Sequence, residues 1–316
     1  MRIASLAPAH AFLDIRLCLF AALVLLVAHS HAAAESPVDL INAEARAGNI
    51  VVTPVSGPIS MLSGSGGNIA VLQGPEGKFM VDGGITLSQT PLQAALKGLG
   101  PGKPRYVINT HWHWDHADSN GWLHDMGATI VAHPNSLKHM SQTVRVDDWQ
   151  HTFEPVPTKA RPTSLVDATR TIEFAGEKVL LKHYGPAHTD GDLYVYFEKS
   201  DVLATGDTYW NGVYPFIDSV AGGSIDGMIR AAQTNIARST ERTIVIPGHG
   251  PLAKQADLIE YRDMLVEIRH NVANLKREGK TLDEVIAARP TAKFDPKWGN
   301  FVINPAFFTR LVYRGV

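Results

Sequence analysis

His111-Trp112-His113-Trp114-Asp115-His116 places three imidazoles and a carboxylate within one turn-length of chain. In an extended segment, side chains two apart point to the same side, so His111 and His113 can reach one metal ion together. Asp115 and His116 follow where the chain turns, and they can face a neighbouring ion. Three further residues lie at or near the ends of expected strands. His188 sits within Gly185-Pro186-Ala187-His188-Thr189-Asp190-Gly191-Asp192, Asp207 closes Ala204-Thr205-Gly206-Asp207, and His249 lies within Pro247-Gly248-His249-Gly250. Each of the three alone would be an ordinary turn or cap residue. Loops carried at strand ends by a rigid scaffold are nevertheless where ligands gather. A zinc site needs three or four donors from separate parts of the chain, with one position left for water if it is catalytic. The one cysteine, Cys18, lies far from all of these residues in sequence. The donors are therefore nitrogen and oxygen, which suit zinc, iron or manganese rather than soft-metal chemistry.

The elements that must position these residues can be read from periodicity. Segments 50–55 and 59–62 read as short strands, the first rich in branched residues. Segments 68–72 and 78–81 flank Gly74-Pro75-Glu76-Gly77, a hairpin signal, and Asp82-Gly83-Gly84 ends the second of them. A helix is expected next, with Thr90 as its cap, Pro91 in its first position and Gly100 closing it. Segment 105–109 is a buried-type strand running almost directly into His111. Strands follow at 171–174, 178–182, 193–197, 202–204 and 243–246. Helical spacing appears at 224–237, 258–276 and 282–288. Strands in both halves with helices between and after them predict a layered α/β protein with two sheets inside. Segment 144–164, weakly periodic with prolines in its second half, reads as a surface loop. The aromatic, turn-rich stretch 209–218 reads equally well as a pocket wall or as a hydrophobic loop covering a sheet. Trp112 and Trp114 alternate with the first candidate ligands and are expected to pack against the protein. His124, His133, His139, His151, His183 and His270 read as packed or solvent-facing.

The chain has 316 residues, enough to bury a substantial core, with 45% hydrophobic and 19% charged residues and a formal net charge of −2. No polybasic or polyacidic bias points to nucleic acid or an anionic membrane as partner. The N-terminus carries Arg2 and Arg16, an apolar run over 17–28, and Ala32-Ala33-Ala34 before Glu35. Charge, apolar stretch and small-residue site in that order predict a signal peptide over 1–34 and a periplasmic or secreted product. The apolar run is short for a membrane span of about 20 residues, so no stable membrane anchor is expected. Residues 35–316 show no composition break and read as one domain. Its core lies over about 50–250, with a helical extension over 251–316.

The order HxHxDH, GPAHTDGD, ATGD and PGHG resembles the metallo-β-lactamase superfamily, and Val81-Asp82-Gly83-Gly84 extends the match toward the N-terminus. The resemblance implies an αββα sandwich with metals at one edge between the sheets. It implies that His111, His113 and His188 hold a first ion, that Asp115, His116 and His249 hold a second, and that Asp207 bridges them. Asp82 would orient a ligand. Asp207 departs from the β-lactamases, which carry cysteine or no bridging aspartate there. It is similar instead to glyoxalase II, the lactonases, arylsulfatases and phosphodiesterases of the superfamily.

The function this implies is that of an exported zinc-dependent hydrolase acting on a small ester, thioester, lactone or amide. Two ions would share a hydroxide formed near neutral pH, and Asp115 would steer it or pass its proton to the leaving group. Three other readings stay open at the level of sequence. The first is a single-iron sulfur dioxygenase of the same superfamily, using His111, His188 and Asp207. The others are a β-lactamase and a non-catalytic metal-binding protein. The substrate class expected is a small molecule; the sequence leaves its identity and the oligomeric state open.

Overall fold

A computed structural model describes residues 36–316, so the expected signal peptide lies outside the described residues. Ser36 caps the first helix, α1 (Pro37–Ala47), its Oγ accepting from the Asp39 amide. Strands β1 (Val51–Ser56), β2 (Ile59–Ser63), β3 (Ile69–Gly74) and β4 (Gly77–Val81) then run as an antiparallel meander. Parallel pairings add β5 (Pro104–Ile108), β6 (Thr129–Ala132) and the short β9 (Ser164–Leu165), completing a seven-stranded sheet. Helices α2 (Gln89–Gly98), α3 (Trp114–Ala117), α4 (Asn120–Asp125) and α5 (Pro134–Met140) connect these strands. A separate ribbon, β7 (Val144–Val146) with β8 (His151–Phe153), lies between β6 and β9 in sequence.

The second sheet contains β10 (Thr169–Phe174), β11 (Glu177–His183), β12 (Leu193–Phe197), β13 (Val202–Ala204) and β14 (Ile244–Ile246). Its last pairing is parallel and is made possible by the crossover helix α6 (Ile225–Arg238). The chain ends in α7 (Gln255–Arg277), α8 (Leu282–Ala287), α9 (Asp295–Trp298) and α10 (Pro305–Arg314).

Period-two alternation determines the layers. Along β3 and β4, Ala70, Leu72, Phe79 and Val81 face the second sheet and meet Phe174, Val179, Val195 and Phe197. The intervening Ile69, Val71 and Met80 face outward, where Leu92 and Leu96 of α2 and Leu123 of α4 cover them. Helices α6 and α7 form the opposite outer layer, with Met228, Tyr261 and Met264 in a core that also takes Val245 of β14. The order is helix, sheet, sheet, helix, the expected αββα sandwich. Each fully buried Val, Leu, Ile or Phe side chain contributes about 1.5–3 kcal/mol to it.

Two expectations need correction. Segment 144–164 is not a plain surface loop. Val144, Val146 and Trp149 are buried, and Phe153 packs edge-on against Trp112. Its apolar residues fall in stretches too short for a strand or helix period to register. Nor does Thr90 cap α2. A tight helical turn over Thr86–Ser88 feeds directly into the helix, which starts at Gln89. The Ser88 hydroxyl is drawn to the carbonyl of Ala45 instead, so the polar residue nearest the helix start ties down α1. Among the described residues, no helix is long and apolar enough to cross a membrane.

Candidate metal centre

β5 delivers the chain to Asn109 and Thr110, and the backbone bends through His111 and Trp112 to the extended His113. His113 is the N-cap of the single-turn helix α3, which carries Asp115 and His116. His188 arrives from the β11–β12 turn, Asp207 from the turn after β13, and His249 from the loop after β14. Strand ends of both sheets thus converge on one edge of the sandwich. Two donor sets result. One contains His111, His113, His188 and Asp207; the other contains Asp115, His116 and His249. All seven sequence candidates fall in one set or the other. Six are buried, and His249 is half-buried.

Asp207 stands between the sets. Its Oδ2 lies 3.8 Å from His111 Nε2 and 3.6 Å from His188 Nε2. Its Oδ1 lies 3.0 Å from His116 Nε2 and 3.5 Å from His249 Nε2. Asp115 Oδ2 completes the second set at 3.3 Å from His249 Nε2 and 3.7 Å from His116 Nε2.

The outward-facing ring nitrogens determine what the inward ones can do. His188 Nδ1 lies 2.9 Å from the Phe216 carbonyl, an acceptor, so Nδ1 must carry the proton and Nε2 a lone pair. His116 Nδ1 donates to Asp82 Oδ2 at 2.8 Å, and His113 Nε2 donates to Asp218 Oδ2 at 2.9 Å. Thr110 Oγ1 donates its own hydrogen to Asp82 Oδ2 and so accepts from His111 Nδ1 at 3.0 Å. These contacts orient four rings with their second nitrogen toward the centre. Two of these nitrogens, His188 Nε2 and His113 Nδ1, approach to 3.0 Å. Nitrogens so placed can share one metal ion. His111 Nε2 is buried without a hydrogen-bond partner, a state that costs about 1–3 kcal/mol unless something binds there. Donor set, tautomers and orphaned nitrogen all fit divalent metal.

The electrostatics agree. Burial works against charge on His116, yet the Asp207, Asp115 and Asp82 carboxylates hold its pKa well above the usual histidine value. His249 is raised to about 9 against the same burial by Asp207 and Asp115. Burial would raise Asp207, but the His116, His249 and His111 rings hold it well below the usual carboxylate range. The second set is a place where a positive charge is favoured. His111 is pushed well down by burial and by the charge on His116, and His188 is lowered to about 4, chiefly by burial. His111 and His188 are therefore neutral and ready to ligate.

Supporting residues surround the donors, and the first of them carries no legible sequence signal. Asp218 pairs with His113 across 105 positions, and its Oδ1 accepts from the amides of Val220 and Ala221. The stretch 209–218 is thus mostly core, with Tyr209, Tyr214 and Phe216 buried, and it also orients two of the donors. Asp192 accepts from the amides of His188 and Thr189 and from the Thr189 hydroxyl, fixing the turn that presents His188. Burial raises it to about 8. Asp82 holds φ at +64°, a strained value for a non-glycine residue, while its carboxylate joins Thr110 to His116. Trp112 and Trp114 pack on Phe153 and Trp149 behind the donors. His183 stacks on His133 at 3.8 Å, and His139 pairs with Asp190, all away from the centre.

Comparison with known proteins places this geometry in a family. The metallo-beta-lactamase superfamily profile matches residues 62–251, a span that contains all seven donors. Among solved structures, the DIM-1 metallo-beta-lactamase is similar at 20% identity over 69% of this chain and 97% of its own, with a TM-score of 0.54. A metallo-beta-lactamase from Pontibacter korlensis is similar at 18% identity over 69% of this chain and 99% of its own, with a TM-score of 0.55. The stereoselective inverting sec-alkylsulfatase Pisa1 from Pseudomonas sp. reaches a TM-score of 0.63 at 15% identity, covering 84% of this chain. The match takes in only 50% of the alkylsulfatase's length. No curated protein matches the sequence. At such identities the structural likeness speaks to fold alone, whereas the profile spans more than half of the sequence: the chain belongs to the metallo-beta-lactamase superfamily.

Proposed function

We propose that this chain is an exported hydrolase that holds two divalent ions, zinc in the native protein, and cleaves a small ester, thioester, lactone or amide. The observation that carries the reading is the division of Asp207, one oxygen beside His111 and His188 and the other beside His116 and His249. A carboxylate so divided suits two cations, with His111, His113 and His188 holding one and Asp115, His116 and His249 the other. Zinc suits a nitrogen- and oxygen-only donor set, and the ordered Arg2, Arg16, apolar run and Ala32-Ala33-Ala34 support export. Similar folds with β-lactamase and alkylsulfatase titles differ in substrate, so neither substrate transfers to this chain.

Bound metal would supply Lewis-acid polarisation of the scissile group and a water made nucleophilic near neutral pH. The protein's own groups do the rest. Asp82 and Asp218 fix the tautomers of His116 and His113, so the donors need no reorganisation when substrate arrives. Asp207 offsets part of the cationic charge. Asp115 is held ionised: burial would raise it, but His116 and His249 lower it below the usual range. Among the donor carboxylates it is also the less enclosed, which suits it to accept a proton and return it to the leaving group.

Elemental analysis of protein purified without added metal tests the reading, with His116→Ala beside the wild type. The expected result is about two zinc ions per chain, falling toward about one in the variant, with ester hydrolysis lost by at least about a hundredfold. About one iron per chain, unchanged by the substitution, would overturn it and direct attention to oxygen-dependent sulfur chemistry.

A further inference from the structure

A cleft of about 680 Å³ opens beside His249, the most exposed of the donors. This lies within the range of small-molecule sites. Its wall is made by Ile41, Met61, Val213, Leu252 and Phe301. Phe301 is 46% exposed, a large apolar side chain left open to solvent at the rim. Two polar neighbours in the wall, Ser65 and Asn68, are already committed. Ser65 Oγ donates to the Ile41 carbonyl, and the Asn68 amide donates to the carbonyls of Pro247 and Gly250. Apart from His249, the lining has one ionisable side chain, Glu44, and neither lysine nor arginine among the described residues. Ile41, Glu44 and Met61 precede the stretch that matches the superfamily, and Leu252 and Phe301 follow it. Much of the apolar part of the wall is thus built from segments flanking the matched span.

We infer that this cleft receives an uncharged, apolar acyl chain, and that Glu44 turns away substrates with a second carboxylate on that chain. The inference rests on the hydrolase reading and names its substrate class as a neutral ester or thioester of a medium-chain acid. An apolar wall with no cation has nothing to repay the desolvation of an anionic arm, and Glu44 adds repulsion. In the reaction, a water oxygen bonds to the acyl carbon as the bond from that carbon to the leaving oxygen or sulfur breaks. One water proton leaves with the alcohol or thiol, and the products are an acid and that alcohol or thiol, with no change of oxidation state.

The test compares kcat/KM of the zinc-loaded chain for p-nitrophenyl acetate, p-nitrophenyl octanoate and the p-nitrophenyl monoester of suberic acid. The octanoate should exceed the acetate by at least about tenfold, and the suberate monoester should fall well below the octanoate. Phe301→Ala should lower the octanoate value by about tenfold and leave the acetate within about twofold, and Glu44→Lys should recover the suberate monoester. Equal rates for the three esters, or an equal loss for all of them in Phe301→Ala, would overturn the inference. If no ester is cleaved, the hydrolase reading fails by itself, and the cleft is then judged by binding. Saturable quenching of tryptophan fluorescence by 2-decanone, weakened in Phe301→Ala, would uphold an apolar-chain site. Absence of saturable quenching would remove it.

Discussion

Three carboxylates, Asp207, Asp115 and Asp82, raise His116 against the cost of burying its charge, and the first two do the same for His249. The field that favours a proton there favours a metal ion too, so metal must displace protons. His111 and His188 are neutral because burial holds them down, and a metal binding these two rings displaces no proton from them. This difference predicts a calorimetric signature. At about pH 6, below the pKa near 7 of metal-bound water, zinc titrated into metal-free protein in buffers of differing ionisation enthalpy should release about one to two more protons per chain from wild type than from His116→Ala/His249→Ala. The sign follows from the raised values: the His249 proton is present below about pH 9 and absent above it, so its share of the excess must shrink as the pH approaches that value. Equal release from both proteins at low pH would mean that the second set does not bind metal.

At the scale of elements, turns bring the donors together because glycine lets backbone approach them. A Cβ on Gly248 would lie 2.0 Å from Asp207 Oδ1 and 2.7 Å from the Gly206 carbonyl carbon. A Cβ on Gly67 would lie 2.2 Å from His116 Cε1 and 2.5 Å from its Nε2. By contrast, a Cβ on Gly98, the last residue of α2, meets nothing within 4 Å. Gly248→Ala should therefore displace Asp207, halve zinc content and lower ester hydrolysis by about a hundredfold, whereas Gly98→Ala should keep both. Zinc analysis of the two purified variants decides the matter, and retention of full zinc in Gly248→Ala would deny Asp207 its place between the sets. Those turns also show what sequence can disclose. The motif residues from His111 to His249 stand in short blocks at strand ends, so β12, β13 and the donor blocks were legible from periodicity and spacing. The ribbon β7–β8 was not, because three-residue strands have no period to read. Asp218 was equally hidden: its contact with His113 depends on how the 209–218 stretch folds back over the second sheet, a long-range outcome with no local mark. The start of α2 differs from expectation because Ser88 finds a tertiary acceptor in α1, which local capping preferences do not include.

At the scale of the whole molecule, the helical extension after β14 is not an appendage. Its Leu258, Tyr261, Met264, Trp298 and Phe308 share one buried core with Trp112, Tyr209 and Trp210, which stand beside the donors. Tyr214 ties the two regions further. Its ring stacks on Phe308 at 4.6 Å, its hydroxyl donates to Asp295, and its amide donates to the Trp298 carbonyl. The 209–218 stretch that holds His113 and His188 in orientation is thus itself held by α9 and α10. Trp298→Ala should leave a cavity under this stretch, cost about 3–5 kcal/mol of stability and weaken zinc binding, although no atom of Trp298 belongs to either donor set. Thermal unfolding read by far-UV circular dichroism and by tryptophan fluorescence should coincide in one transition, and zinc should raise both midpoints together, because a ligand of the native state stabilises every part that unfolds with its site. If the extension melted separately, the two probes would part on adding zinc, with the part of the signal from α7 to α10 unmoved. That result would detach the extension from the centre, and it would also remove the physical basis for expecting Phe301, carried between α9 and α10, to form a fixed wall beside His249.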